Sequence, residues 1–312
     1  MMGIVIGAVQ AMALVLIAPL VTGIVSKLKA LMQGRSGADI LQPYRDLRKL
    51  FGKDSVTSRS TSWIFRAVPY VCLGSMVVLA MMVPFIHTRT LAPFGDLVAV
   101  VYLFTLYRFA MVLGGLEGGS TFGGMGSSRE MMMSVLIEPA LLLAISTLAV
   151  LSGAGTDMGD ISGALSGMGL LAVGPALILA GASFIITMLA ENARVPFDNP
   201  ATHLELTMVH EAMLLEYSGR GLAMMELSSM IRLTVFMAML GSMFFPWGVA
   251  TTMDPSDLLV SVLVTVAKML TITLVVATVE SVLCKTRLFK TPNLLTASFM
   301  LSLMAMISLY IL

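Results

Sequence analysis

Cysteine is nearly absent from this chain. Cys72 and Cys284 are the only two, they lie near opposite ends, and no CxxC or Cys/His cluster accompanies them. That removes the sequence case for a zinc or iron–sulfur site carried by this chain. Histidine is scarce too, with three residues, and Asp, Glu, Lys and Arg together make up only 12%, about half the share usual in a soluble domain. The N-terminus has neither a basic leader nor a small-residue cleavage site, so the first apolar run reads as a retained span rather than a signal peptide. A net charge of +1 says little about partners, and no nucleic-acid partner is expected.

What is abundant is apolar surface. Hydrophobic residues make up 57% of the chain and the mean hydropathy is +0.93, too apolar for disorder. A helix needs about 20 apolar residues to cross roughly 30 Å of hydrocarbon. Eight runs qualify, at approximately 3–25, 67–88, 96–115, 132–152, 170–190, 229–249, 259–280 and 293–312. They leave no room for a soluble domain. The expectation is an all-α integral membrane protein, one polytopic domain over 1–312, built as a bundle of eight transmembrane helices with long polar connections at 26–66 and 191–228.

Lys and Arg orient the bundle. Segment 26–66 holds Lys27, Lys29, Arg35, Arg45, Arg48, Lys49, Lys53, Arg59 and Arg66; the links on the same side add Arg129, Arg194, Arg220, Lys285, Arg287 and Lys290. The opposite side has Arg89 alone, with Asp157, Asp160, Asp254 and Asp257 in its links. The basic side therefore faces the cytoplasm, both termini face outside, and the chain sits in the cell (inner) membrane. Within 40–52, Leu41, Tyr44, Leu47, Leu50 and Phe51 recur at helical spacing between basic residues. This predicts a short amphipathic helix at the interface or against a partner, in place of a plain solvated loop.

Ionisable residues inside spans are costly and mark either a pathway or a structural pair. Here they are Asp96, Arg108, Glu138, Arg232, Lys268 and Glu280. Arg108 and Lys268 are deepest. Arg232 and Glu280 sit near span ends, where they can snorkel to water, and Asp96 reads as structural. The polar segment 191–228 carries Glu191, Asp198, Glu205, Glu211, Glu216 and Glu226 with His203 and His210. A helix from Thr202 onward would put Glu205 and Glu216 on one face, three turns apart. His210–Glu211 is half of an HExxH pattern with no second histidine at the required spacing, so a proton funnel or docking surface fits better than a metal site. The glycine-rich run at 118–130 predicts a turn, with close backbone packing as its reason. It lacks the GK[ST] ending of a phosphate loop. The 28 methionines read as lipid- and helix-facing packing.

Glu191 through Gly219, ENARVPFDNPATHLELTMVHEAMLLEYSG, resembles the acidic region of the complex I subunit 1 family. GSSRE at Gly126–Glu130 followed by Glu138–Pro139, and Gln42, Tyr44, Arg45, Asp46, Lys49, Leu50 and Phe51 in the first long connection, resemble it too. The chain is similar to the branch found in membrane-bound group 4 NiFe hydrogenases and formate hydrogenlyase. Two departures from the respiratory pattern point to that branch. The stretch Asn199–His203 lacks the extra acids found after PFD, and Arg35–Ser36–Gly37–Ala38 lacks the proline of the R-x-GP form.

The resemblance implies a non-catalytic, membrane-anchoring subunit beneath hydrogenase large and small subunits and an iron–sulfur subunit, beside antiporter-like membrane subunits and lipid. It implies no cofactor on this chain, with NiFe and iron–sulfur clusters on the partners. The candidates for an acidic proton path are Glu138, Glu191, Glu205 and Glu216, with Arg108, Arg194 and Asp198 organising it and His210 and Glu211 in support. Three other readings are a quinone-site subunit of a respiratory NADH dehydrogenase, a stand-alone secondary transporter and a purely structural anchor. No internal repeat supports the transporter.

Overall fold

A computed structural model describes residues 2–58, 61–88, 95–168, 174–198, 208–250, 254–286 and 290–311. Among the described residues the chain is built of α-helices, seven of them long and apolar enough to cross a membrane. These are α1 (Met2–Met32), α3 (Trp63–Met82), α4 (Leu97–Glu117), α5 (Thr121–Ser152), α9 (Gly219–Met239), α10 (Pro255–Val282) and α11 (Thr291–Ile311). The run expected at 170–190 appears as the shorter apolar α7 (Pro175–Glu191), and its first residues lie outside the described ones. Three short helices, α2 (Gln42–Phe51), α6 (Met158–Met168) and α8 (His210–Leu214), complete the set.

Local chemistry sets several boundaries. Ser62, Asp96 and Ser120 begin α3, α4 and α5 by accepting hydrogen bonds from Ile64, Val98 and Gly123 N–H, which satisfies a donor that has no partner inside the helix. Gly153, at φ 63°, ends α5 in the left-handed conformation. The amphipathic helix predicted within 40–52 forms as α2. It packs on α1 and α9, buries Leu47, and its Tyr44 hydroxyl donates to the Leu16 carbonyl.

Three expected boundaries shift, each lengthening a helix into a polar connection. α5 begins at Thr121, so the glycine-rich run at 118–130 is mostly helical rather than a turn. Packing overrides propensity here. A Cβ on Gly123 would sit 2.4 Å from the Gly115 carbonyl oxygen, and one on Gly126 would sit 2.8 Å from that of Val209. The glycines let α5 lie directly on α4 and on the segment leading into α8. Likewise α9 begins at Gly219, and α1 continues to Met32, so both long polar connections are shorter than expected.

Among the seven long apolar helices, α9 with the turn that follows it is the most enclosed. Phe236 stacks on Phe104 of α4 at 4.3 Å between ring centroids and meets Phe184 of α7 at 5.8 Å. A π-helical turn, Leu240–Phe244, follows α9, and Phe244 packs on Phe184 at 4.9 Å. Lys268 of α10 donates to the Gly241 and Phe245 carbonyls at 3.1 and 2.5 Å. The lysine thus satisfies acceptors left open by the π turn. Asp96 acts as the α4 cap.

Candidate functional site: a buried chain of ionisable groups

Arg108, in the middle of α4, presents one guanidinium to three carboxylates. Nε lies 3.3 Å from Glu130 Oε1, Nη1 donates to Glu138 Oε1 at 3.0 Å, and Nη2 pairs with Glu191. Glu130 and Glu138 are eight residues apart on α5, so the helical repeat puts them on one face. Glu191 is the last residue of α7 rather than part of a loop, and its side chain is fully buried. Its Oε1 has no hydrogen-bond partner among the described residues.

The cluster continues through α8. His210 Nδ1 lies 3.3 Å from Glu130 Oε2, and Arg232 Nη2 donates to His210 Nε2 at 2.8 Å. A guanidinium has donors only, so Nε2 must be the acceptor. The imidazole is therefore neutral in this arrangement, with its proton on Nδ1, on the Glu130 side. Arg232 is fully buried, which corrects the expectation that it snorkels to water. Its guanidinium lies 4.7 Å from the Tyr107 ring centroid, and Nε and Nη1 have no hydrogen-bond partner among the described residues.

Glu138 marks one end of this chain of contacts. Its side chain is 37% exposed, and it borders a cavity of about 240 Å³ on the α4/α5 face. The other end opens at His210 into a cavity of about 320 Å³ whose lining includes Arg194, Asp198, Glu211, Glu226 and Lys29 and which reaches the exposed Ser26. Burial pushes the Glu211 carboxyl up to about 7, with repulsion from Glu226 and Asp198 adding to it.

A second set of ion pairs borders that cavity. Glu280 of α10, whose side chain is also fully buried, forms an ion pair with Lys29 Nζ at 2.6 Å and accepts a hydrogen bond from Arg194 Nη1 at 3.0 Å. It too does not snorkel. Asp198 accepts from Lys285 Nζ at 2.7 Å and Val209 N–H at 3.0 Å, tying the end of the 194–198 turn to the start of α8.

Of the residues picked out in the sequence, the fold brings together Arg108, Glu138, Glu191 and His210 and sets Arg194, Asp198 and Glu211 around the adjoining cavity. Glu216 is not among them. It lies beyond the end of α8, exposed, with its Cγ 3.0 Å from where a Gly118 Cβ would be, so the helical face expected to join it to Glu205 does not form there. Glu205 and His203 lie outside the described residues. Sequence reasoning missed Glu130 as a member of this cluster. Its eight-residue spacing from Glu138 was the available signal, hidden by reading 118–130 as a turn. Among the described residues, no group of three or more His, Cys, Asp or Glu is placed to hold a metal ion.

Comparison with known proteins follows the same lines. The NADH dehydrogenase family pattern matches residues 4–311. Formate hydrogenlyase subunit 4 of Escherichia coli (strain K12) is 34% identical over 302 residues, covering 96% of this chain and 97% of that protein. Hydrogenase-4 component C of the same organism is 36% identical over 300 residues, covering 95% and 92%. NADH-ubiquinone oxidoreductase chain 1 of Triticum aestivum is 27% identical over 234 residues, covering 70% and 69%. A chain of the membrane-bound sulfane sulfur reductase, an archaeal respiratory membrane complex, shares the fold, with a TM-score of 0.84 at 20% identity, covering 98% of this chain and 99% of that one.

Proposed function

The chain belongs to the NADH dehydrogenase family, that of complex I subunit 1, and from that membership we propose that it is the anchoring and ion-coupling subunit of a membrane-bound hydrogenase of the formate-hydrogenlyase type. The two hydrogenase-type relatives match nearly full length and at higher identity than the NADH-ubiquinone oxidoreductase chain, which supports this branch over a quinone-reducing one.

The observation that carries the coupling role is the unbroken series of contacts from the cavity through His210, Glu130 and Arg108 to the partly exposed Glu138. Fully ionised, with a neutral His210, the guanidiniums of Arg108 and Arg232 face the carboxylates of Glu130, Glu138 and Glu191, which leaves one net negative charge. A low-dielectric interior disfavours net charge, so one proton taken up by the cluster brings it to neutrality. A change in charge on a redox partner at the cavity end shifts that balance, which is how electron transfer couples to proton movement here. Glu138, Arg108, Glu130 and His210 form the route with Glu191 paired to Arg108, and Glu211, Asp198 and Arg194 serve its mouth. Glu205 joins them on sequence alone. Glu216 has the weakest support, being exposed and apart from the cluster.

In this reading α7 completes a set of eight spans, the single membrane domain covers 1–312, the Lys- and Arg-rich side faces the cytoplasm, both termini lie outside, and the chain resides in the inner membrane. Its partners are the hydrogenase large and small subunits, an iron–sulfur subunit and antiporter-like membrane subunits. Those partners, not this chain, carry the NiFe and iron–sulfur clusters.

Two measurements test the proposal. Complexes purified through this chain should contain a subunit with nickel; flavin- and NADH-binding subunits in its place would overturn the branch assignment. Vesicles holding Glu191→Gln or Glu138→Gln complexes should take up fewer protons per electron, and an unchanged ratio and turnover in both would sink the route.

A further inference from the structure

Arg66 lies in the first turn of α3 and Arg220 is the second residue of α9, so both stand at the same interfacial end of the bundle. Both are exposed and line one cavity of about 370 Å³, together with the hydroxyl-bearing Ser55, Thr57 and Ser218. Neither arginine forms an ion pair or side-chain hydrogen bond with a described residue. The cavity wall is fixed rather than loose. Ser218 Oγ accepts from Val56 N–H at 2.8 Å and donates to the Val56 carbonyl at 2.9 Å. Gly219, at φ +51°, allows the Asp54 carbonyl so close that a Cβ would sit 2.3 Å from it. With its hydroxyl so engaged, Ser218 does not cap α9, and the first-turn N–H groups add positive potential at the cavity.

Below the arginines the surface changes character. Trp63, Arg66, Tyr70, Gly74 and Val78 are exposed at three- and four-residue spacing, one uncovered stripe along α3. Trp63 and Tyr70 are amphipathic aromatics of the kind enriched at membrane–water interfaces. A Cβ on Gly74 would meet nothing within 4 Å. A ligand for this surface needs an anionic head that accepts from guanidinium forks and an apolar tail that lies along a helix. We propose that this cavity is a headgroup site for an anionic phospholipid, its phosphate held by Arg66 and Arg220 and one acyl chain resting on the Tyr70–Val78 stripe. The proposal does not depend on the ion-coupling role.

The test uses the intact complex in nanodiscs of phosphatidylglycerol and phosphatidylcholine with a photoactivatable phosphatidylglycerol. Wild-type complex should be labelled at residues 63–74 and 217–224, about tenfold more than by the matching phosphatidylcholine probe, given the attraction of two basic groups to an anionic headgroup. Arg66→Gln with Arg220→Gln should abolish that preference and Arg66→Lys with Arg220→Lys should keep part of it. Arg45→Gln should change nothing, because Arg45 sits on the Asp39 carboxylate, 2.8 Å away. Equal labelling by both probes, or a preference that survives the double glutamine variant, overturns the site. So does displacement by millimolar inorganic phosphate, which marks a free-anion site, or crosslinking of these residues to another subunit in place of lipid. The wild-type comparison decides the matter even where the double variant fails to assemble.

Discussion

Arg232 donates to His210 Nε2 at 2.8 Å, although 22 residues of chain separate them. The guanidinium can only donate, so Nε2 is the acceptor and Nδ1 faces Glu130. Replacing His210 with Asn keeps an acceptor for Arg232 but removes a ring that passes a proton between two nitrogens. Complexes with His210→Asn should assemble with normal subunit content and lose turnover by about tenfold or more. Normal turnover in an assembled variant would remove His210 from the route.

The pH dependence of stability should reveal Glu211. Its carboxyl is raised to about 7 in the folded chain, from an ordinary value of 4.5. The folded state therefore holds this proton more tightly than the unfolded one, so stability falls as pH rises from about 4.5 through 7 and the cost is complete above that. Glu211→Gln should unfold at a higher temperature than wild type at pH 8 and at a similar one at pH 5. The gap corresponds to on the order of 2 kcal/mol. Parallel melting curves for the two proteins across this range would count against it.

Glycine substitutions on α5 should separate packing from propensity. Gly126→Ala puts a methyl 2.8 Å from the Val209 carbonyl, whereas a Cβ on Gly124, two residues earlier, meets nothing within 4 Å. The first should cost about 1–3 kcal/mol through overpacking and lower turnover by moving α8, hence His210, away from Glu130. The second should be silent. Thermal stability and turnover measured on both variants check this, and equal behaviour would refute the contact.

The Lys29–Glu280–Arg194 group should behave as a coupled unit. Glu280→Gln leaves two mostly buried cations facing a neutral group, a loss of about 3 kcal/mol or more. Adding Lys29→Met should recover part of it. A double-mutant cycle on the assembled complex measures the coupling, and strict additivity would show that the pair is inert.

Much of the fold was legible without coordinates. The long apolar runs marked α4, α10 and α11 to within a few residues and α3 with its end set about six residues too late, because hydrocarbon thickness sets a minimum length that few other structures need. The periodicity of Leu41, Tyr44, Leu47 and Phe51 gave α2. The failures cluster where helices touch. α5 and α9 began about ten residues earlier than expected because glycine and polar residues read locally as breakers, while close backbone contact with α4, α8 and the 53–54 turn holds them in helical form. The site was half legible. Arg108 and Glu138 announced themselves as charges inside apolar runs, but Glu130 was hidden in the misread turn, and Arg232 and Glu280 stood near span ends where snorkelling to water competed with burial.

The sequence by itself determined that this chain spans a membrane, that its Lys and Arg crowd into a few connections and which family it joins, since each follows from composition along the chain or from runs of residues in order. Only the tertiary structure decided that one arginine serves three carboxylates, that His210 stands between Glu130 and Arg232, and that Glu216 is left outside. Those pairings join α4, α5, α7, α8 and α9, and a charge in an apolar interior finds its counter-charge by proximity in space, which order along the chain does not encode.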